Sequence, residues 1–274
     1  MNLPIYKLTI NSRKNKSIKI ITGLNNFNLE YIVKAVKAAE LGNATYVDIS
    51  CNPDIVRFVK SITNLPICVS SIEPQELYLC SCAGADIIEI GNFDCFYDKK
   101  IYFNTTQILN LTREVCEIIN NKPICVTIPH YLSLNNQIKL AFFLKQEKIS
   151  YLQTEGYNTK YIISNNYLVN SIRKGSSALS STYLLNQYFD IPIISASGLN
   201  LLSSSFAIPC GGSIIAIGTA ISKYKNIREM TQYIDLMRLS VNYQVHINNL
   251  LHNRVWHMNK LSKFSVSNFL VKEN

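Results

Sequence analysis

Short runs of β-branched and other apolar residues alternate along the chain with segments whose apolar residues recur every three to four positions, and polar breaks separate them. Runs of the first kind read as buried strands and segments of the second as amphipathic helices, so the alternation predicts repeated βα units around a parallel sheet. The first strand is predicted over Ile18 to Gly23. Its helix places Ile32, Val33, Val36 and Ala39 on one face and stops at Gly42. The second strand, Thr45 to Cys51, is followed by Asn52-Pro53, a capping residue with proline at the first helical position. The same grammar predicts strands over Pro66 to Ser70, Asp86 to Gly91, Pro123 to Ile128, Tyr151 to Glu155, Pro192 to Ser197 and Ser213 to Gly218. The helix after the sixth strand is expected only from about Ser177. Ile227, Met230, Ile234, Met237, Val241 and Val245 mark a long last helix.

Eight such units in 274 residues, 47% of them hydrophobic, match the size and strand number of a single (β/α)₈ barrel. An open doubly wound sheet is the alternative. The expected organisation is an N-terminal extension over 1–17, the barrel over 18–251 and a C-terminal tail over 252–274. Strands covered on both faces should be almost wholly apolar, so their polar members carry information. With period-two alternation, and with the apolar sets turned to the helices, Asp48, Glu89, Thr127, Gln153, Glu155 and Ser197 point to the barrel axis. Most sit near the strand ends that carry catalytic groups in this fold.

The strongest chemical signal is a pair of glycine turns. Ser197-Gly198-Leu199 follows the seventh strand and leads to a short helix expected over Leu201 to Ile208. Gly218-Thr219-Ala220 is expected to open the helix after the eighth. Glycine admits close backbone approach, and free N–H groups at a helix start hold anions, so Ser197, Gly198, Leu199, Gly218 and Thr219 form a candidate phosphate site. Ordinary turn and cap chemistry is the competing explanation. Asp48, Glu89 and Glu155 repel one another near one axis, which calls for a raised pKa or an internal cation, and Lys19 is the nearest one by parity. His130, after the fifth strand, stands on the same rim. Together Asp48, Glu89, His130 and Glu155 are the candidate proton-transfer groups, with a buried ion cluster as the structural alternative. No ligand spacing supports a metal.

Gly156 to Gly175 is long and polar and carries Lys160, Arg173 and Lys174, as a lid or an insertion would. Phe93, Phe96 and Tyr97 after the fourth strand, and Phe27 after the first, bring aromatic rings to the rim, either to stack on a ligand or to close the barrel. The eight cysteines are scattered without Cys-x-x-Cys, and Cys68 and Cys125 fall inside apolar runs, so they read as reduced, packed thiols. The formal charge of +9 is spread in short groups, which argues against a nucleic-acid partner. No stretch is long and apolar enough to span a membrane, and Met1 to Ser17 reads neither as a signal nor as a transit peptide. Val255, Trp256, Leu261, Phe264 and Phe269 make the tail apolar, so it is expected to pack on the barrel or on a second subunit, which leaves a homo-oligomer open.

Thr22-Gly23-Leu24-Asn25-Asn26-Phe27, Val47-Asp48-Ile49, Glu89-Ile90-Gly91-Asn92-Phe93-Asp94, Thr127-Ile128-Pro129-His130, Gln153-Thr154-Glu155-Gly156 and Ala196-Ser197-Gly198-Leu199 occur in this order. Over roughly residues 18 to 225 they resemble the hypothetical chloroplast open reading frame twenty-three family of algal plastids and cyanobacteria. Cys95 stands where that resemblance leads one to expect serine. The resemblance implies an aldolase-type TIM barrel and a plastid stromal location rather than a particular reaction. The combined expectation is a phosphorylated small-molecule ligand, with acid/base chemistry of an isomerase, lyase or synthase type. A non-catalytic sensor or assembly protein and a flavin mononucleotide-dependent enzyme are the alternatives.

Overall fold

The computed structural model describes residues 17–253 except 24, 92 and 157–164, with side chains described up to residue 242. Eight parallel strands close on themselves in sequence order: β1 (Ser17–Ile21), β2 (Tyr46–Ser50), β3 (Ile67–Ser71), β4 (Ile87–Ile90), β5 (Ile124–Ile128), β6 (Tyr151–Thr154), β7 (Ile193–Ser195) and β8 (Ile214–Ile217). β8 pairs back to β1 with Ile18 opposite Ile215 and Ile20 opposite Ile217, so the sheet has no edge and the open doubly wound alternative is excluded. The connecting helices are α1 (Leu29–Leu41), α2 (Pro53–Ile62), α3 (Pro74–Ala83), the single turn α4 (Asp94–Tyr97), α5 (Thr105–Ile118), α6 (Leu134–Gln146), α7 (Tyr167–Tyr188) and α8 (Ile227–Asn253).

Local chemistry starts these helices where they are. The Asn52 side chain accepts from the Asp54 and Ile55 amides with Pro53 next in line, and Asn104 and Gln107 form a reciprocal capping box ahead of α5. The main core lies between the sheet and the helices, where Val47, Ile49, Val69, Ile88, Ile90 and Val126 meet Ile32, Val56, Leu77 and Leu140. A second cluster fills the barrel itself: Tyr46, Cys68, Ile87, Cys125, Tyr151, Ile194, Ala196, Ile214 and Ala216. The thiols of Cys68 and Cys125 are thus packing groups inside the barrel.

Four expectations need correction. α7 begins at Tyr167, ten residues ahead of Ser177, because the Asn166 side chain caps it by accepting from the Leu168 and Val169 amides. Arg173 and Lys174 therefore lie on a helix, while Lys160 falls outside the described residues. The short helix expected over Leu201 to Ile208 is a series of turns around one 3₁₀ turn, Ser204–Phe206. Gly218 does not open α8: the chain makes one turn, with Ser222 N–H donating to Gly218 O at 3.2 Å, and α8 starts at Ile227. In β7 the parity is reversed, since Ile194 and Ala196 face the barrel interior and buried Ser195 faces α7, where its hydroxyl meets Thr182 Oγ1 at 2.7 Å.

Candidate active site

One inward position beyond the apolar filling of the barrel, the wall turns polar. Lys19 Nζ lies 2.6 Å from Asp48 Oδ2 and 2.6 Å from Glu89 Oε2, and donates to Gln153 Oε1 at 2.9 Å. Ser70 Oγ is 3.2 Å from both Asp48 oxygens, while Glu89 Oε1 accepts from Gln153 Nε2 at 2.5 Å and from Thr127 Oγ1 at 3.2 Å. All four carboxylate oxygens are satisfied, and Lys19, Asp48 and Glu89 are fully buried. Burial alone would lower the Lys19 pKa, but the two carboxylates outweigh it and hold the ammonium charged, well above its usual range. Burial pushes Asp48 up to about 6 against the pull of Lys19, and the Glu89 charge adds to the rise, because one cation serves two carboxylates. Asp48, Cys68 and Glu89 form the one group among the described residues with metal-ligand donors within 4.8 Å of one another, and Lys19 is the cation in contact with both carboxylates.

Glu155 belongs to a different group. Its Oε2 accepts from Tyr97 Oη at 2.6 Å and from the His130 backbone N–H at 3.0 Å, and His130 Nδ1 lies 2.8 Å away. Burial, reinforced by the Glu155 charge, raises the Tyr97 pKa, so its hydroxyl stays a donor. The rim aromatics after β4 pack on one another and on neighbouring rings, while Phe27 after β1 is exposed. Tyr97 stacks on Tyr102 at 5.5 Å and meets His130 and Tyr131 edge-on, while Phe93 and Phe96 pack on Phe103. The Tyr131 hydroxyl closes this cap onto the Phe103 carbonyl.

Above both groups opens a cavity of about 300 Å³. Its lining includes Glu89, Thr127, Gln153 and Glu155 together with Ser197, Gly198, Leu199, Gly218, Thr219 and Ser222. Ser197 reaches the cavity through backbone conformation rather than strand parity, since Ser197 and Gly198 have φ of 73° and 70°. Gly198 is also hemmed in: a Cβ there would lie 2.1 Å from the Lys174 carbonyl oxygen, so α7 and the turn fit only with glycine. Among the described residues, the N–H groups of Gly198, Leu199, Gly218, Thr219 and Ala220 donate to no backbone or side-chain acceptor. Lys174 packs on the turn through its backbone carbonyl and Cβ. Burial lowers its pKa and the Lys223 ammonium lowers it further.

Of the four sequence-predicted proton-transfer residues, Glu89 and Glu155 line the cavity, whereas Asp48 and His130 stand behind its lining. The single set of rim acids expected from parity is two sets, one closed around Lys19 and one held by Tyr97 and His130. Sequence reasoning marked Tyr97 only as a rim aromatic. Its role as a donor to Glu155 depends on the single turn α4, which carries no periodic signal. Lys223 gave no signal beyond its place after the Gly218 turn.

A family described as "Protein of unknown function (DUF561)" matches residues 4–247. The chain belongs to this family. Relatives named "Uncharacterized protein ycf23" come from plastid-bearing organisms. The relative from Antithamnion sp. is 43% identical over 92% of this chain and 95% of its own length. Those from Porphyra purpurea and Cyanophora paradoxa are 39% and 38% identical over 83% and 84% of this chain, and 86% and 95% of their own lengths. These are members of the family that the ordered motifs resemble. Among solved structures the fold is similar to (S)-3-O-geranylgeranylglyceryl phosphate synthase from Thermoplasma acidophilum in complex with sn-glycerol-1-phosphate, with a TM-score of 0.61 and 12% identity over 89% of this chain and 99% of that one. It is similar also to 3-hexulose-6-phosphate synthase from Salmonella typhimurium, with a TM-score of 0.60 and 11% identity over 83% of this chain and 99% of that one. At these identities the likeness establishes an aldolase-type barrel. No helix among the described residues is long and apolar enough to cross a membrane.

Proposed function

We propose that the cavity binds a phosphorylated small molecule in the plastid stroma, and that Glu155 moves a proton to or from it. The observation that carries this reading is that the N–H groups of Gly198, Leu199, Gly218 and Thr219, residues of the cavity lining, donate to no acceptor among the described residues. Amides with no internal acceptor favour an anion, and here two turns supply them without a long helix behind either. The similar barrels named above are synthases named for phosphorylated compounds, one in complex with sn-glycerol-1-phosphate, which supports a phosphorylated ligand. Glu155 has the geometry of a proton-transfer group, since one oxygen is held by Tyr97 and His130 and the carboxyl lines the cavity. Asp48, closed around Lys19 behind the lining, acts on the ligand only through the field it sets up.

A second reading, a non-catalytic barrel that senses the same ligand, draws on the complete pairing of Asp48 and Glu89. Thermal-shift titration with inorganic phosphate, sugar monophosphates and flavin mononucleotide tests the binding claim, because a ligand of the folded state raises the melting temperature. A rise that Gly218→Asp abolishes is expected, and no rise with any phosphorylated compound overturns the reading. With a ligand in hand, Glu155→Gln separates the two readings: an enzyme loses turnover, while a sensor keeps its full ligand response.

A further inference from the structure

We propose that Cys51 and Cys80 form a redox-active thiol pair, closed into an intramolecular disulfide by exchange with an external disulfide and reopened by a dithiol. The proposal is independent of the phosphate reading. The two sulfurs lie 3.6 Å apart although the residues are 29 positions apart in the chain. Cys51 follows the last residue of β2 and precedes Asn52, the cap of α2, while Cys80 stands with Leu77 on the buried face of α3. A disulfide needs its sulfurs at about 2.05 Å, so closure asks for about 1.6 Å of approach, within reach of rotation about the two side chains.

Exposure assigns the two sulfurs different parts. Cys51 is half-buried, whereas Cys80 is fully buried. An external disulfide therefore meets Cys51 first: the Cys51 thiolate attacks one sulfur of the oxidant and expels a thiol, which leaves a mixed disulfide on Cys51. Cys80 Sγ, already in contact, then attacks Cys51 Sγ and expels the second thiol. Across both steps the two cysteines lose two protons and two electrons, and the external disulfide is reduced to two thiols. The hydrogen bond shared with Cys80, with burial adding to it, holds the Cys51 thiol above its ordinary range. Thiolate is therefore scarce and the exchange slow, which suits a response to sustained oxidation. Other cysteines are placed differently: Cys68 and Cys125 are packed inside the barrel, and Cys82, two residues on from Cys80, turns to solvent. The new bond ties the end of β2 to α3 around a loop that contains α2 and β3, so the oxidised chain resists unfolding more than the reduced one.

In the test, the full chain, reduced and folded, is incubated with glutathione disulfide; free thiols are then alkylated and the chain is digested without reduction for peptide mass mapping. The expected product is a pair of peptides joined through Cys51 and Cys80 and reopened by dithiothreitol, with the melting temperature of the oxidised chain raised by about 5 °C or more. Cys80→Ser should trap the first step and leave glutathione on Cys51, whereas Cys51→Ser should leave Cys80 a free thiol. Joining of other cysteine pairs, glutathione held on Cys51 of the wild-type chain with Cys80 still free, or both thiols unchanged overturns the proposal. The wild-type peptide map decides the matter even where a variant folds poorly.

Discussion

Two groups of carboxylates line the same barrel wall, and they differ in what their oxygens are doing. Around Lys19, the oxygens of Asp48 and Glu89 are all engaged by Lys19, Ser70, Thr127 and Gln153, out of reach of solvent. At Glu155, contacts from Tyr97 and His130 converge on Oε2, and the residue belongs to the cavity lining. A carboxylate pinned by a buried ammonium holds the barrel together; one held by a phenol and an imidazole at the cavity lining can meet a ligand. Proximity to the axis, the property legible in a strand pattern, does not separate the two.

The comparison predicts opposite consequences for equally small changes. Lys19→Met should be the most damaging, because it leaves two buried carboxylates without their cation; a loss of about 3–5 kcal/mol in chemical denaturation is expected. Glu89→Gln in that background should recover part of it, and a loss below about 1 kcal/mol would mean that the cluster is not the keystone described. Gly198→Ala comes next. The positive φ and the Lys174 carbonyl beneath it should cost about 1–3 kcal/mol, whereas Gly218→Ala, whose Cβ would have Ile21 Cβ at 3.3 Å as its nearest neighbour, should fold nearly as well as the wild type.

The floor should also be visible in pH dependence. With Asp48 at about 6 in the folded chain and about 3.9 when unfolded, folding takes up a proton between those values. Its contribution to stability is therefore present near pH 4 and is lost as the pH rises through 6. Relative to Asp48→Asn, the wild-type chain should lose stability over that window and run parallel above it. A difference that grows with pH would show that attraction to Lys19 outweighs burial. The smallest effect is expected at the rim: Tyr97→Phe removes one of three contacts to Glu155 Oε2 and should cost about 1 kcal/mol of stability. A loss as large as that of Lys19→Met would place both groups in the same structural role.

How much of this could be read from the sequence follows from what generates a periodic signal. The eight strands announced themselves because both faces are buried, and the inward direction of Asp48, Glu89, Thr127 and Gln153 followed from parity. Strand β7 defeated the same rule because a buried serine paired with Thr182 satisfies the helix-facing side as well as an apolar residue does. The start of α7 was missed because its first turns expose Tyr167, Leu168 and Ile172 to solvent, so no apolar stripe marks them. The split between the carboxylate groups was invisible because it depends on Tyr97, delivered by a four-residue helix, and on the length of the Lys19 side chain.

The central claim is that the amides of the two glycine turns hold an anion, and amide chemical shifts test it most directly. On titration of the ¹⁵N-labelled chain with inorganic phosphate, the Gly198, Leu199, Gly218 and Thr219 resonances should move together along one saturable curve, and Gly218→Asp should abolish the movement. Shifts confined to surface lysines, or these four resonances unmoved at saturating phosphate, would contradict the account.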